Sequence, residues 1–115
     1  MIKTSKKELK TIYDNAKSFY NKASVKRYYN KNELVYKIEL ISYKTSILYI
    51  QNNKLYFNYK NINNKNIYSM TTLRHIKEFI KQFYYLLELN YKNIIDKEVL
   101  KKDDIKALIK ASVNN

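Results

Sequence analysis

The sequence predicts an α+β fold in which one helix is followed by a three- to four-stranded antiparallel sheet and then by two helices packed on one sheet face. Two observations predict this fold. Apolar residues recur at intervals of three and four near the start and again beyond residue 70, whereas apolar and polar residues alternate in between. The 115 residues suffice for a single domain at 1–115, with a core at about 5–90 and a C-terminal helical extension at 91–115.

A helix is predicted over roughly 5–24. Ser5 and Glu8 have the spacing of a capping box, in which each side chain satisfies a backbone group at the helix start. The apolar residues that follow fall on one helical face, and they are Leu9, Ile12, Ala16, Phe19 and Ala23.

Three strands are predicted after this helix. The first begins near Leu34, where Ile38 and Leu40 alternate with charged residues as in a half-buried strand. Two further runs rich in strand-forming residues cover about 45–50 and 54–59.

Asparagine is the predicted turn residue in this glycine-free chain, because it tolerates positive φ better than most residues. Asn52-Asn53 is the predicted two-residue hairpin turn. The segment 61–66 is a polar loop, and a short edge strand is expected before it or after it at Ile67-Tyr68.

Two helices are predicted after the sheet. The candidate caps of the first are Ser69, Thr71 and Thr72. Its apolar stripe comprises Leu73, Ile76, Ile80, Phe83 and Leu87. The last helix begins at Asp103-Asp104, two acids at its positive end, and its apolar side comprises Ile105, Leu108 and Ile109.

The composition excludes several functions. Without glycine there is no phosphate-binding loop, dinucleotide loop or nucleophile elbow, because those turns need positive φ or a bare backbone. Without cysteine there is no thiol nucleophile, disulfide or zinc finger. His75 and Glu78, three apart on the predicted helix, could share a metal or a proton, but with a single histidine in the chain an ordinary surface pair is the favoured interpretation. We therefore predict a protein that is not an enzyme and holds no cofactor or metal.

The formal net charge of +13 has two explanations. Basic proteins of this size are attracted to nucleic acid, anionic membranes or acidic partners. However, 21 lysines accompany only two arginines, although phosphate and base recognition usually favours arginine. Lys, Asn, Ile and Tyr can all be encoded by codons of A and T alone, so an AT-rich genome would give much of this pattern without selection for binding.

The start of the second predicted helix is the first candidate site. Its hydroxyl groups, unpaired backbone N–H groups and positive helix dipole together favour a phosphate. One of only two arginines and the only histidine follow at once. The candidate residues are Ser69, Thr71, Thr72, Arg74 and His75. In the alternative interpretation the hydroxyls merely cap the helix, and Arg74 and His75 are solvated.

A segment rich in lysine and tyrosine is the second candidate site. Basic groups that follow phosphates, together with aromatic rings that stack on bases, suit nucleic-acid binding of low sequence specificity. Its residues are Lys22, Lys26, Arg27, Tyr28, Tyr29 and Lys31. Alternatively, the segment is a solvated basic helix end whose tyrosines close over the core.

Two segments within roughly 40–83 carry a resemblance to a known family. They read Ser42-Tyr43-x-Thr45-x-Ile47 and Tyr68-Ser69-x-Thr71-Thr72-x-Arg74-His75-x-x-x-Phe79. With them the chain resembles a family of small uncharacterised proteins encoded by phages, plasmids and integrative elements of low-GC Gram-positive bacteria. The resemblance implies a mobile-element protein in a bacterial cytoplasm, and it implies no particular activity.

These observations lead to two expected functions. The first is a non-enzymatic domain that binds nucleic acid, either DNA or RNA, or a nucleic-acid-handling host complex. The second is an anti-CRISPR-type inhibitor that binds a host defence nuclease, such as a CRISPR effector, through its protein or its guide RNA. Surface tyrosines and an edge strand also make a homodimer plausible. A membrane partner is not expected, because the chain has neither a stretch of roughly 18 apolar residues nor an apolar signal-peptide core.

Overall fold

In the computed structural model, which describes residues 3–58, 70–93 and 100–113, five strands precede the helices. The strands are β1 Lys3–Glu8, β2 Ala23–Tyr29, β3 Val35–Ser42, β4 Thr45–Gln51 and β5 Lys54–Phe57. The helices are α1 Met70–Phe83, α2 Leu89–Lys92 and α3 Lys102–Val113, with a 3₁₀ turn at Tyr84–Leu86. Each strand pairs antiparallel with the next one along the chain, so the sheet is a meander with β1 and β5 at its edges.

The α+β class is confirmed, but the predicted element order and strand count are wrong. No helix lies at 5–24, because β1 occupies its start, β2 follows from Ala23, and the segment 9–22 between them is irregular. Ser5 and Glu8 therefore lie in an edge strand and form no capping box. The sheet has five strands instead of three or four.

Long-range contacts override the helical spacing of the first segment. Leu9 and Phe19 are buried, but Ile12 is 67% exposed, so no single helical face of this segment is buried. Tyr20 and Asn21 have φ values of 51° and 63°, and a right-handed helix cannot continue through such residues. Strand β2 instead pairs with β1 along its whole length.

The three predicted strands and the predicted hairpin turn in the middle of the chain are confirmed. Strands β3, β4 and β5 lie in the expected runs, and Asn52-Asn53 joins β4 to β5 with φ values of 55° and 63°. Tyr43-Lys44 makes a second turn of this kind between β3 and β4, with φ values of 49° and 68°. The loop expected at 61–66 and the edge strand expected at 67–68 lie outside the described residues.

Both helices predicted after the sheet are present. The apolar stripe expected for the first helix is buried throughout, from Leu73 in α1 to Leu87, the residue after the 3₁₀ turn. In α3, Ile105 and Leu108 belong to the same core as α1 and the sheet. The sheet side of this core consists of alternate strand residues, among them Val25, Ile38, Leu40, Leu48, Ile50 and Leu55. The helices that the structure describes therefore cover one face of the sheet and leave the other face open.

Within the described ranges, the chain contains no helix with the length and apolar character needed to cross a membrane.

Candidate nucleic-acid interface

The sheet face opposite the helices carries a layer of lysine and tyrosine side chains. Directly paired residues on antiparallel strands lie on the same face, so the pairing register identifies this layer. One row across the five strands is Lys6, Lys26, Glu39, Tyr49 and Tyr56. The adjacent row is Thr4, Tyr28, Lys37, Gln51 and Lys54. We name these residues the open face, and all of them except Glu39 are partly or fully exposed.

Lys37 lies at the centre of the open face between two tyrosine rings. Its Nζ is 4.3 Å from the ring centroid of Tyr49 and 4.7 Å from that of Tyr28. The Nζ of Lys26 lies 5.2 Å from the same Tyr28 ring. All three distances are within the cation–π range. The rings therefore hold the ammonium groups in defined positions, where their N–H groups can donate to an anion.

Tyr49 and Tyr56 form a stacked pair across β4 and β5. Their ring centroids are 4.9 Å apart, and the ring planes differ by 13°. Both side chains are partly exposed. Tyr49 is covered by Tyr56 and by the Lys37 ammonium, so the outer face of the Tyr56 ring, on the edge strand, is the surface on which an unpaired base can stack.

The carboxylate of Glu39 fixes the position of the Tyr28 hydroxyl. That hydroxyl donates to Oε1 of Glu39 at 2.8 Å, and the Ser46 hydroxyl donates to Oε2 at 2.7 Å. Burial, reinforced by the bond to Glu39, raises the pKa of Tyr28 to about 12, so the hydroxyl keeps its proton at neutral pH. Glu39 is only 9% exposed and therefore positions a ring without presenting its charge to the surface.

The open face has an excess of positive charge, with four lysines and one carboxylate, that of Glu39. Among the described residues, the ion pairs join Lys3 to Glu33 and Arg74 to Asp14, and neither pair includes an open-face lysine. The lysines of this face are Lys6, Lys26, Lys37 and Lys54. The face is thus electrostatically suited to a polyanion.

Strand β2 divides the second site that the sequence predicted. Successive side chains of a strand point to opposite faces, so Lys26 and Tyr28 belong to the open face whereas Arg27 and Tyr29 lie on the helix side. There the Arg27 guanidinium lies 5.6 Å from the ring centroid of Phe83. The two remaining candidates, both exposed in flanking loops, are Lys22 and Lys31.

The residues of the first predicted site occupy several different environments. Ser69 lies outside the described residues, and Thr71 is exposed whereas Thr72 is buried. Arg74 is ion-paired within the protein, and His75 is completely buried. Alanine at His75 would therefore perturb folding as well as any binding.

One polar edge of α1 holds the irregular segment 9–22 in place. Arg74 donates through Nε to Asp14 Oδ2 at 3.0 Å and through Nη2 to Oδ1. Glu78 Oε1 accepts the backbone N–H of Asp14 at 2.7 Å. Gln82 donates to the carbonyl of Lys10 at 2.6 Å. These three side chains follow at intervals of four residues, so they lie on one side of the helix and form a continuous polar clamp.

His75 joins the two segments on which the family resemblance depends. A hydrogen bond of 2.8 Å links its Nδ1 to the hydroxyl of Ser42. The rings of Phe19 and Tyr43 contact the imidazole at centroid distances of 4.6 and 5.6 Å. Ser42 and His75 are both fully buried, so a substrate cannot reach this hydroxyl–imidazole pair. The interpretation of His75 and Glu78 as a surface pair is wrong, since Glu78 is also only 2% exposed.

The clamp leads to a prediction about acid stability. The Arg74 guanidinium, which donates to Asp14, lowers the pKa of that carboxyl from its usual 3.8. The unfolded chain protonates near 3.8, so the ion pair contributes its full stability above that pH and loses it as the pH falls through the lower folded pKa. We expect Asp14→Asn to unfold at a lower urea concentration than the wild type at neutral pH, and this difference to disappear in strong acid.

Glu33→Gln provides the matched control, because it removes the same charge from an exposed ion pair. The side chains of Lys3 and Glu33 are 63% and 73% exposed, and such pairs contribute little to stability. A difference between wild type and Asp14→Asn that stayed constant with pH would show that the Asp14 charge is not what stabilises the segment.

Sequence reasoning missed three central residues of the open face, namely Lys37, Tyr49 and Tyr56. A signal for them exists, because each occupies a polar position in the alternating pattern of its strand. Aromatic rings at such positions lie on the solvent side of a sheet.

Within the residues that are described, no group of three or more His, Cys, Asp or Glu side chains is arranged to hold a metal ion.

The fold and the open face define a small basic α+β protein with an exposed lysine–tyrosine sheet. The chain belongs to a family of unknown function, DUF8033, whose model matches residues 7–102. The matched range contains β2 to β5 and α1, and hence most of the open face. Neither a curated protein nor a solved structure matches the chain.

Proposed function

We propose that the protein binds single-stranded nucleic acid across the open face. The observation that carries this proposal is the position of the Lys37 ammonium between the rings of Tyr28 and Tyr49. It places a cation that binds phosphate beside the stacked pair of Tyr49 and Tyr56, whose outer ring, that of Tyr56, can stack on a base. The protein acts without catalysis, as a phage or mobile-element protein of the bacterial cytoplasm, and that origin follows from the resemblance over roughly 40–83.

The open face favours single strands over duplexes. In a duplex the bases stack on one another, so their planes are not accessible to protein side chains. The bases of single strands can be splayed out and stacked on aromatic rings. The stacked pair of Tyr49 and Tyr56 offers such a surface.

Lysine in place of arginine suits binding of low sequence specificity. An ammonium group is a point charge that satisfies any phosphate, whereas arginine makes the bidentate contacts that read base edges. Five strands at about 4.8 Å spacing give the open face a width of about 19 Å, enough for a few nucleotides. Lys6 and Lys54 lie towards opposite edges of this width, so a bound strand that crosses the sheet meets a lysine at either end.

Titration against labelled single-stranded DNA, RNA and duplex DNA tests the proposal. We expect single strands to bind more tightly than a duplex of equal length. If the four open-face lysines each neutralise one phosphate, the logarithm of the affinity falls with log salt at a slope of about −3 between about 50 and 300 mM.

Two outcomes would overturn the proposal. One is tighter binding of the duplex than of either single strand. The other is no binding of any nucleic acid at low salt, which would redirect the search to a protein target such as a host defence nuclease.

A further inference from the structure

A cleft of about 420 Å³ opens beside the open face on the helix side of the sheet. It lies between the adjacent ends of β3 and β4 and the 3₁₀ turn after α1. Its floor is apolar and includes Ile38, Ile50 and Phe83. This volume is within the range of about 300–1,000 Å³ that is typical of small-ligand sites.

Arg27 supplies the positive charge of the cleft. Lys37 also lines the cleft, but its ammonium lies on the open face beside Tyr28 and Tyr49, and no carboxylate is part of the lining. Arg27 packs over the Phe83 ring, and among the described residues no carboxylate forms an ion pair with it. Arg27 also lines a neighbouring groove along β1 that includes Glu8, so this residue lies between the cleft and the groove. A cation over an apolar floor suits a ligand that combines an anionic group with a flat apolar body.

The cleft opens at one end of the sheet. Lys37 and Gln51 border it there, and by strand register their side chains belong to the open face. A strand bound to the open face can therefore place one of its nucleotides in the cleft by passing over this end of the sheet.

We propose that the cleft binds one nucleotide, with its base against the apolar floor and its phosphate at Arg27. This proposal deepens the proposed function, and it rests on that function where the nucleotide belongs to a strand bound to the open face. A free nucleoside monophosphate has the same chemistry and is the second source.

Val35→Glu is the informative variant. Val35 lines the cleft and is 42% exposed, so glutamate there adds negative charge to the cleft without removing a core side chain. Leu34→Glu is the matched control, because it introduces the same charge one residue earlier, at a position 63% exposed that does not line the cleft. Arg27 itself is less suitable, since it also packs on Phe83.

The experiment follows backbone amide NMR shifts of the wild type and both variants during titration with AMP and with CMP. We expect saturable shifts around the cleft in the wild type and in Leu34→Glu, and an affinity about tenfold weaker in Val35→Glu. In a parallel arm, fluorescence anisotropy measures the affinity of the same three proteins for an eight-nucleotide single strand.

The two arms separate the nucleotide sources and the two proposals. Mononucleotide binding that Val35→Glu weakens supports the cleft site. If Val35→Glu binds the strand more weakly and Leu34→Glu does not, the occupant of the cleft is a nucleotide of the strand. If the two variants bind the strand equally well, the occupant is a free nucleotide. Absence of saturable mononucleotide shifts, or equal shifts in all three proteins, overturns the cleft inference even where the strand still binds the open face. A strand that binds none of the three proteins overturns the proposed function, while the mononucleotide arm still decides the cleft.

Discussion

Replacing Tyr49 and Tyr56 together with threonine is expected to weaken binding of a single-stranded oligonucleotide by at least about tenfold, because base–aromatic stacking contributes about 1–3 kcal/mol per base. The two rings are stacked on each other, so they act as one surface and are best removed together. Threonine keeps a high strand propensity and preserves the sheet. The salt dependence of binding should not change, because no charge is removed. Fluorescence anisotropy at several salt concentrations measures both quantities.

Tyr20→Asn is the control for the loss of an exposed tyrosine. Tyr20 is 71% exposed in the irregular segment 9–22, and asparagine tolerates its φ of 51°. This variant should bind as the wild type does. An equal loss of affinity in Tyr20→Asn, or unchanged affinity in a folded double variant, would contradict stacking on the open face.

Replacing Glu78 with alanine is expected to lower the free energy of unfolding by about 3 kcal/mol, because two partly buried backbone donors lose their charged acceptor and such bonds contribute about 1.5–3 kcal/mol each. The carboxylate accepts the N–H groups of Tyr13 and Asp14 at 3.0 and 2.7 Å and the Gln82 amide at 2.7 Å. Such a loss is a large part of the roughly 5–15 kcal/mol that stabilises a domain. Urea unfolding measures it, and faster tryptic cleavage at Lys17 would report release of the segment 9–22.

Glu88→Ala is the matched control, since Glu88 is exposed and follows the same helix. Its effect should stay within about 0.5 kcal/mol, as for most surface substitutions. An unchanged unfolding midpoint in Glu78→Ala would contradict the clamp. Where Glu78→Ala remains folded, it should still bind nucleic acid, because the clamp lies on the helix side of the sheet.

The elements that the sequence predicts well are those whose signals are local. The alternation in β3 to β5, the Asn52-Asn53 turn and the apolar stripe of α1 each depend on neighbouring residues alone. The first segment fails because its spacing suits a helix, while the contacts that decide its conformation come from far along the chain. Arg74 and Glu78, which are 60 and 64 residues away in sequence, hold Asp14 in place.

The candidate site was predictable only in part, because it depends on strand register. Lys26 and Tyr28 were identified, but no strand was predicted there, so they were grouped with Arg27, which lies on the other face of β2. Lys37 in β3 contacts Tyr49 in the adjacent strand β4. Because the register shifts between Leu40 and Ile41, this contact cannot be predicted by counting residues back from the turn. A sequence pattern identifies the polar side of each strand, whereas only the fold shows which polar residues become neighbours.

The most direct test of the central claim compares two variants that lose the same charge. Lys26→Gln/Lys37→Gln removes two lysines from the open face, and Lys17→Gln/Lys101→Gln removes two exposed lysines elsewhere. Both variants are titrated with a single strand over a range of salt concentrations. We expect the slope of log affinity against log salt to decrease in magnitude by roughly 1.4 in the open-face variant, because each lost phosphate contact removes about 0.7. The slope of the other variant should stay unchanged. Equal reductions in both variants would contradict the account, because they would show that net charge, and not the open face, binds the nucleic acid.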